Sequence, residues 1–298
     1  MFLTLACLWG LSFPAIAVGL ESLPPLLFAA FRYDLAAVLL LAAAAWRLES
    51  WLPRGRHNLV AIAGGGVFLV AGNGLLFVGQ QTVPSGVAAI LQALVPIVTA
   101  LFALVLLGER LSRAGVVGVC VGFLGIGFIV QPDPGNVLGG DTLGRLVIVG
   151  QVTSVALGGV IVQRAQPTVD RLALTGWSML LGAVILHLLS AGLGEPHSLG
   201  AIDPVAISMI VYLGVFSTAI AFVLYFTLLE SHGAFEVALV TYLVPVVATL
   251  VGVFALGESI SGWTILGFGL VALGFVLLKR RALATRIVRW RSTGTRSR

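Results

Sequence analysis

The chain has 298 residues, 59% of them apolar and only 10% charged, with a mean hydropathy of +1.09. Ordinary soluble domains carry about 25% charged residues, so these proportions exclude that class. The formal net charge of +5 does not argue for a nucleic-acid partner, because the placement of the basic residues accounts for it.

The apolar residues come in runs of roughly 18–25, the length a helix needs to cross ~30 Å of hydrocarbon. Ten spans are predicted. The first, Leu3–Gly19, has no basic stretch before it and no small-residue cleavage site, so it reads as a retained span. The others are Leu26–Trp46, Leu59–Gly79, Ser85–Leu107, Ala114–Val130, Leu146–Gln163, Leu172–Leu193, Val205–Leu229, Ala234–Leu256 and Gly262–Leu278. A loop rich in Pro, Gly and Asp, Gln131–Gly144, divides the halves. Cys7 and Cys120 lie inside apolar runs and read as small buried hydrophobes, with no disulfide or metal spacing.

The two halves repeat. Leu94-Val95-Pro96 returns as Leu243-Val244-Pro245, and Leu107-Gly108-Glu109 as Leu256-Gly257-Glu258, each 149 residues on, half of 298. Gly118 and Gly267 match at the same offset. Residues 1–130 and 145–279 are therefore expected to be two five-helix repeats. With an odd number of spans in each, the second must be inverted. The fold class is an all-α polytopic membrane protein, ten transmembrane helices in two inverted-topology repeats.

Of the 17 basic residues, all but Arg32 and Arg145 fall on one side of this topology. The positive-inside rule makes that side cytoplasmic, with both termini there. The duplicated turn carries Arg110 and Arg113 in its first copy and no base in its second. The tail 280–298, with Lys279, is basic without an acid, and Leu283, Ile287 and Trp290 share a helical face. It reads either as an amphipathic helix on an anionic leaflet or as an unstructured basic tail.

Leu8-Trp9-Gly10-Leu11-Ser12-Phe13-Pro14, Phe31-Arg32-Tyr33 and the two Leu-Val-Pro…Leu-Gly-Glu blocks resemble the drug/metabolite transporter superfamily, and within it the EamA-domain family. The likeness runs from Leu3 to Leu278. The second half departs from it: Ala156-Leu157-Gly158-Gly159 lacks the Trp-Gly of the first span, and no arginine matches Arg32. The resemblance implies a ten-helix carrier of small metabolites, often an amino-acid exporter, with no cofactor and no ATPase part. The residues agree on the last point, since no glycine-rich phosphate loop occurs.

Charged groups in hydrocarbon cost at least ~2.5–3.5 kcal/mol at midspan. Arg32 reads as a counter-ion for a substrate carboxylate or phosphate, or as a structural partner of carbonyls. Asp34 points roughly 200° away around the helix; it and Glu236 are candidates for proton coupling, or for helix pairing and a first-turn acid respectively. Glu109 and Glu258 read as turn formers. Pro96 and Pro245 are candidate hinges. Polar residues at seven-residue spacing suggest inward faces: Ser85, Gln92 and Thr99; Asn73 and Gln80; Thr218 and Tyr225. Thr241, the repeat partner of Gln92, and Tyr242 join them, while Trp9, Phe13 and Trp177 are expected to wall the cavity.

The expected function is a secondary transporter of a small, amino-acid-like metabolite, in the export direction, by alternating access. A proton-coupled multidrug exporter is the alternative within that class. A membrane enzyme finds no nucleophile–base pair, and His57, His187, His197 and His232 have no metal-ligand spacing. A non-transporting scaffold or sensor is the third class. The sequence leaves the coupling ion open, and monomer against homodimer.

Overall fold

The computed structural model of the protein describes residues 1–131, 140–196, 203–232 and 234–294; the side chains of 234–236, 238–239 and 279–294 lie outside the described set. The regular elements of the described residues are all helices, without a strand. The spans are α1 (Phe2–Gly19), α2 (Pro25–Arg47), α3 (Arg56–Gly79), α4 (Ser85–Leu106), α5 (Arg113–Val130), α6 (Gly140–Ala165), α7 (Arg171–Gly192) and α8 (Pro204–His232). All eight are long and apolar enough to cross a membrane. Two more apolar helices follow, α9 (Ala234–Leu256) and α10 (Gly262–Gly294). The last runs on past Leu278 without a break, so the basic tail begins as an extension of the final helix.

The main contacts between the two five-helix sets come in matching pairs. The second helices of the sets pack together, α2 on α7, and so do the fifth, α5 on α10. Helix α1 packs on α9 as α6 packs on α4, and α3 meets α6 and α7 as α8 meets α1 and α2. Local backbone repeats as well. Helix α3 contains a π-helical stretch, Gly65–Ala71, and α8 contains another, Tyr212–Ile220, covering the positions 149 residues on.

The fourth helix breaks this symmetry. Helix α4 is interrupted between Gln92 and Val95, where Ala93 and Leu94 make tight three-residue turns. Helix α9 passes through Pro245 uninterrupted. Both copies carry the proline, which removes a backbone donor, so proline alone does not set the outcome. The two copies also differ at Tyr242, whose hydroxyl donates to the Ala93 carbonyl at the break, 3.4 Å away. Ala93 is the repeat partner of Tyr242 and has no donor with which to return the bond.

Contacts between loops sort them onto two ends of the bundle. At one, Asn58 accepts from the amides of Thr168 and Val169, Arg164 Nη1 donates to the Leu106 carbonyl, and Arg171 lies 3.8 Å from Glu230. The contact of Phe2 with His232 places the N-terminus there too. At the other end, two glutamates of the second half cap helices of the first. Helix α2 opens with Pro24-Pro25 and α4 follows Pro84, so in each the first free donors are the next two amides. Glu195 accepts from Leu26 N and Leu27 N at 3.1 and 2.9 Å. Glu258 accepts from Ser85 N, Ser85 Oγ and Gly86 N at 2.8, 2.9 and 3.2 Å. A carboxylate on a helix N-terminus also meets the positive end of its dipole.

Glu258 thus does more than form a turn. Its own amide closes the turn onto the Gly252 carbonyl, as Glu109's does onto Ala103, while its side chain joins the halves. Glu258→Ala should lower the thermal midpoint in detergent by about 5 °C or more, from roughly 2–3 kcal/mol of lost charge-assisted bonds.

Two expectations are corrected. Cys7 and Cys120 are exposed on the outer faces of α1 and α5, not buried; an apolar run in a bilayer does not reveal which face is core, because lipid is equally apolar. Trp177 walls no central cavity. It stacks on Trp51 at 5.7 Å and donates to the Trp51 carbonyl, beside the loop that follows α2.

Candidate functional site

Arg32 enters the core about 10 Å along α2, at 1.5 Å per residue. It is 8% exposed, and Nε donates to Thr218 Oγ1 at 2.9 Å. Thr218 is held by its own bond to the Leu213 carbonyl at 2.6 Å, inside the π-helical stretch of α8. The widened turn leaves that carbonyl available and aims the hydroxyl at α2, an instance of a π segment at a polar centre. The guanidinium lies 5.2 Å from the Tyr33 ring centre and 6.0 Å from that of Phe77, within cation–π range. Among the described residues no carboxylate comes within ion-pairing distance of Arg32.

Four polar side chains from four helices form one hydrogen-bonded chain beside it. Gln92 Nε2 of α4 donates to Gln151 Oε1 at 2.5 Å, and Gln151 Nε2 of α6 donates to Asn73 Oδ1 at 2.7 Å. Asn73 Nδ2 of α3 then donates to the Tyr33 hydroxyl of α2 at 2.6 Å. The structure thereby brings Gln92 and Asn73 together, through two residues that spacing did not flag. Gln151 has Phe2 as its repeat partner, so the duplication hides it; an amide within an apolar run was the available signal. The whole chain orients Gln92 at the lip of the α4 break. Gln151→Leu should lower stability by about 1–3 kcal/mol by stranding Gln92 and Asn73. Gln92→Leu added to it should cost less than the sum of the singles in a thermal double-mutant cycle.

The repeat partner of Asn73 is Phe222, and there the lining turns aromatic. Trp9 of α1 lies 5.6 Å from Tyr225 and 6.2 Å from Phe222, and Phe226 adjoins both of those α8 rings. Tyr212 reaches back to the Leu8 carbonyl at 3.0 Å. Trp9 and Tyr225 are thus neighbours, and Thr241 is half-buried beside Tyr242.

The seven-residue faces do not survive intact. Ser85 belongs to the Glu258 cap, the break after Gln92 turns Thr99 onto another register, and Thr99 makes none of these bonds. Gln80 donates to the Phe13 carbonyl at 3.1 Å rather than joining Asn73. Its Oε1 and the Ser217 hydroxyl are buried without a partner among the described residues, so the interior keeps open polar valences. Asp34 points away from Arg32 and meets His187 Nε2 of α7 at 2.7 Å, both partly exposed, with Phe31 edge-on to the imidazole. Glu236 falls in the first turn of α9, where its side chain is outside the described set.

The fold and this interior define a polytopic membrane protein that holds a buried cation, without an acidic partner among the described residues, beside neutral amides and aromatics between two sets of helices. The EamA-like transporter family matches residues 1–131 and 142–280, and the chain belongs to it, within the drug/metabolite transporter superfamily. It is 33% identical to an uncharacterized inner membrane transporter, YedA, of Escherichia coli (strain K12), over 91% of this chain and 87% of that one. It is 30% identical to a protein of Streptantibioticus cattleyicolor named "Probable terminal-alkyne amino-acid exporter", over 93% and 92% of the two chains. A solved crystal structure at 23% identity superposes with a TM-score of 0.65 over 96% of each chain, which shows the shared fold. The protein is a multi-pass transporter of the cell membrane with a small-molecule substrate.

Proposed function

We propose that the protein is a secondary carrier that exports a small amino-acid-like solute by alternating access between two inverted repeats, with both termini cytoplasmic. The observation that carries this reading is Arg32, a buried cation without an acidic partner among the described residues, next to a chain of amides. A solute carboxylate supplies the missing charge through the planar guanidinium. The neutral amides and the ring cluster suit the rest of a small zwitterion. The paired helices α2–α7 and α5–α10, with the break at Pro96 opposite an unbroken Pro245, provide a rocking unit with one loosened element. The amino-acid exporter among the relatives has a substrate of the same class by its name. No catalytic step, metal or cofactor enters this reading.

The test is a thermal-shift screen of the purified protein, followed by counterflow in proteoliposomes, comparing amino acids with their methyl esters and decarboxylated amines. Free carboxylates are expected to stabilise it and the esters and amines not. The rings of Trp9, Phe222, Tyr225 and Phe226 favour a second reading, a multidrug exporter, since lipophilic cations stack on such faces. Stabilisation by lipophilic cations alone would discard the carboxylate assignment.

A further inference from the structure

Away from the central site, an open groove of about 510 Å³ lies between α3, α4 and α6 at the base-rich end of the bundle. Arg56, His57 and Arg164 supply its charged part, and Val60, Leu157 and Ile161 its apolar part. The order of these residues along the helices matters. Leu157, Ile161 and Arg164 follow one another down a single face of α6, and Arg56 precedes Val60 by one turn on α3. On both helices the apolar residues lie deeper in the span and the bases at its end. Among the described residues no acidic side chain lines the groove.

Two of the three bases are held in place. Arg164 Nη1 donates to the Leu106 carbonyl at 2.9 Å, using one of its five N–H donors. His57 Nδ1 lies 2.9 Å from the Ala165 carbonyl, so its tautomer is set and Nε2 remains for another partner. The duplication provides an internal comparison. At the positions 149 residues away, Arg56, His57 and Arg164 are replaced by Val205, Ala206 and Ala15. The architecture therefore does not require bases at these helix ends.

Charge at the water edge and hydrocarbon beneath it is the layout of a phospholipid. We infer that the groove binds one anionic phospholipid of the leaflet at this end, its phosphodiester on Arg56 and Arg164 and an acyl chain along Val60, Leu157 and Ile161. Because α3 and α4 belong to one repeat and α6 to the other, the lipid ties the two sets together beside the Arg164–Leu106 contact.

The experiment uses the full chain in nanodiscs of equal parts phosphatidylglycerol and phosphatidylcholine, released for native mass spectrometry. One retained phosphatidylglycerol, enriched over phosphatidylcholine by roughly tenfold or more, is expected. In detergent, added phosphatidylglycerol should raise the thermal midpoint by about 3 °C. Phosphatidylcholine, inorganic phosphate and glycerol 3-phosphate should not. The Arg56→Gln/Arg164→Gln double variant should lose both enrichment and shift; if it does not fold, the wild-type enrichment decides. Equal retention of the two lipids, an undiminished shift in a folded double variant, or an equal shift from inorganic phosphate would overturn the assignment.

Discussion

Arg32→Ala is expected to remove substrate binding by more than about 100-fold while leaving the folded protein as stable as the wild type, or more stable. The two halves of that outcome have one cause. Truncating one partner of a buried charge pair costs about 2–5 kcal/mol of binding, and each 1.4 kcal/mol is tenfold. Stability moves the other way because, among the described residues, Arg32 has no acid to pair with. Its charge then stands as an unrecovered desolvation cost in the empty protein, which alanine relieves. A structural arginine behaves oppositely: its loss strands its partners and lowers the thermal midpoint. Arg32→Lys keeps the charge but not the planar fork, so it should recover only part of the affinity. Thr218→Val should weaken binding less than Arg32→Ala, since Thr218 only steers Nε. Binding is read by ligand-induced thermal shift and transport by counterflow. An Arg32→Ala variant that unfolds readily and is rescued in stability by lysine would return Arg32 to a structural role.

The limits of reading this protein from its sequence are physical. The spans were legible because span length is set by bilayer thickness, and the sequence ends of α2, Leu26–Trp46, differ from Pro25–Arg47 by a residue at each end. Arg32 stood out because a base in hydrocarbon is costly wherever it lies. The orientation of side chains within the bundle was not legible to the same degree. A seven-residue spacing assumes one uninterrupted helix, and α4 is interrupted at Ala93 and Leu94, where a tyrosine from another helix meets the Ala93 carbonyl. The π stretches in α3 and α8 likewise rotate everything beyond them. Gln151 has no polar repeat partner, and the pairing of Asp34 with His187 depends on α2 lying against α7. Contacts of this kind belong to the tertiary fold, and no local pattern announces them.

Gly125→Val in α5 should be strongly destabilising, lowering the thermal midpoint by about 10 °C or more. Helices α5 and α10 meet backbone to backbone at two places, Gly118 against Gly274 and Gly125 against Gly267. A Cβ on Gly125 would sit 2.7 Å from the Gly267 carbonyl oxygen, and one on Gly267 would sit 2.7 Å from that of Gly125. Neither oxygen can swing aside as a side-chain tip could, so the helices must part. In a bilayer, where apolar surfaces gain nothing by leaving lipid for one another, close packing of small residues is what holds such a seam. Gly127 on α5 and Gly269 on α10 meet nothing within 4 Å, so alanine there should leave the midpoint unchanged. The seam also tests the two-fold relation itself. Gly118 is the repeat partner of Gly267, and Gly125 of Gly274, so each contact is the image of the other. If the axis relating the repeats passes between α5 and α10, Gly125→Ala and Gly274→Ala must cost nearly the same, and so must Gly118→Ala and Gly267→Ala. Equal losses within each pair would mark the seam as the fixed line about which the repeats exchange. Unequal losses would place the axis elsewhere, with α2–α7 and α4–α9 as the remaining pairs able to hold it.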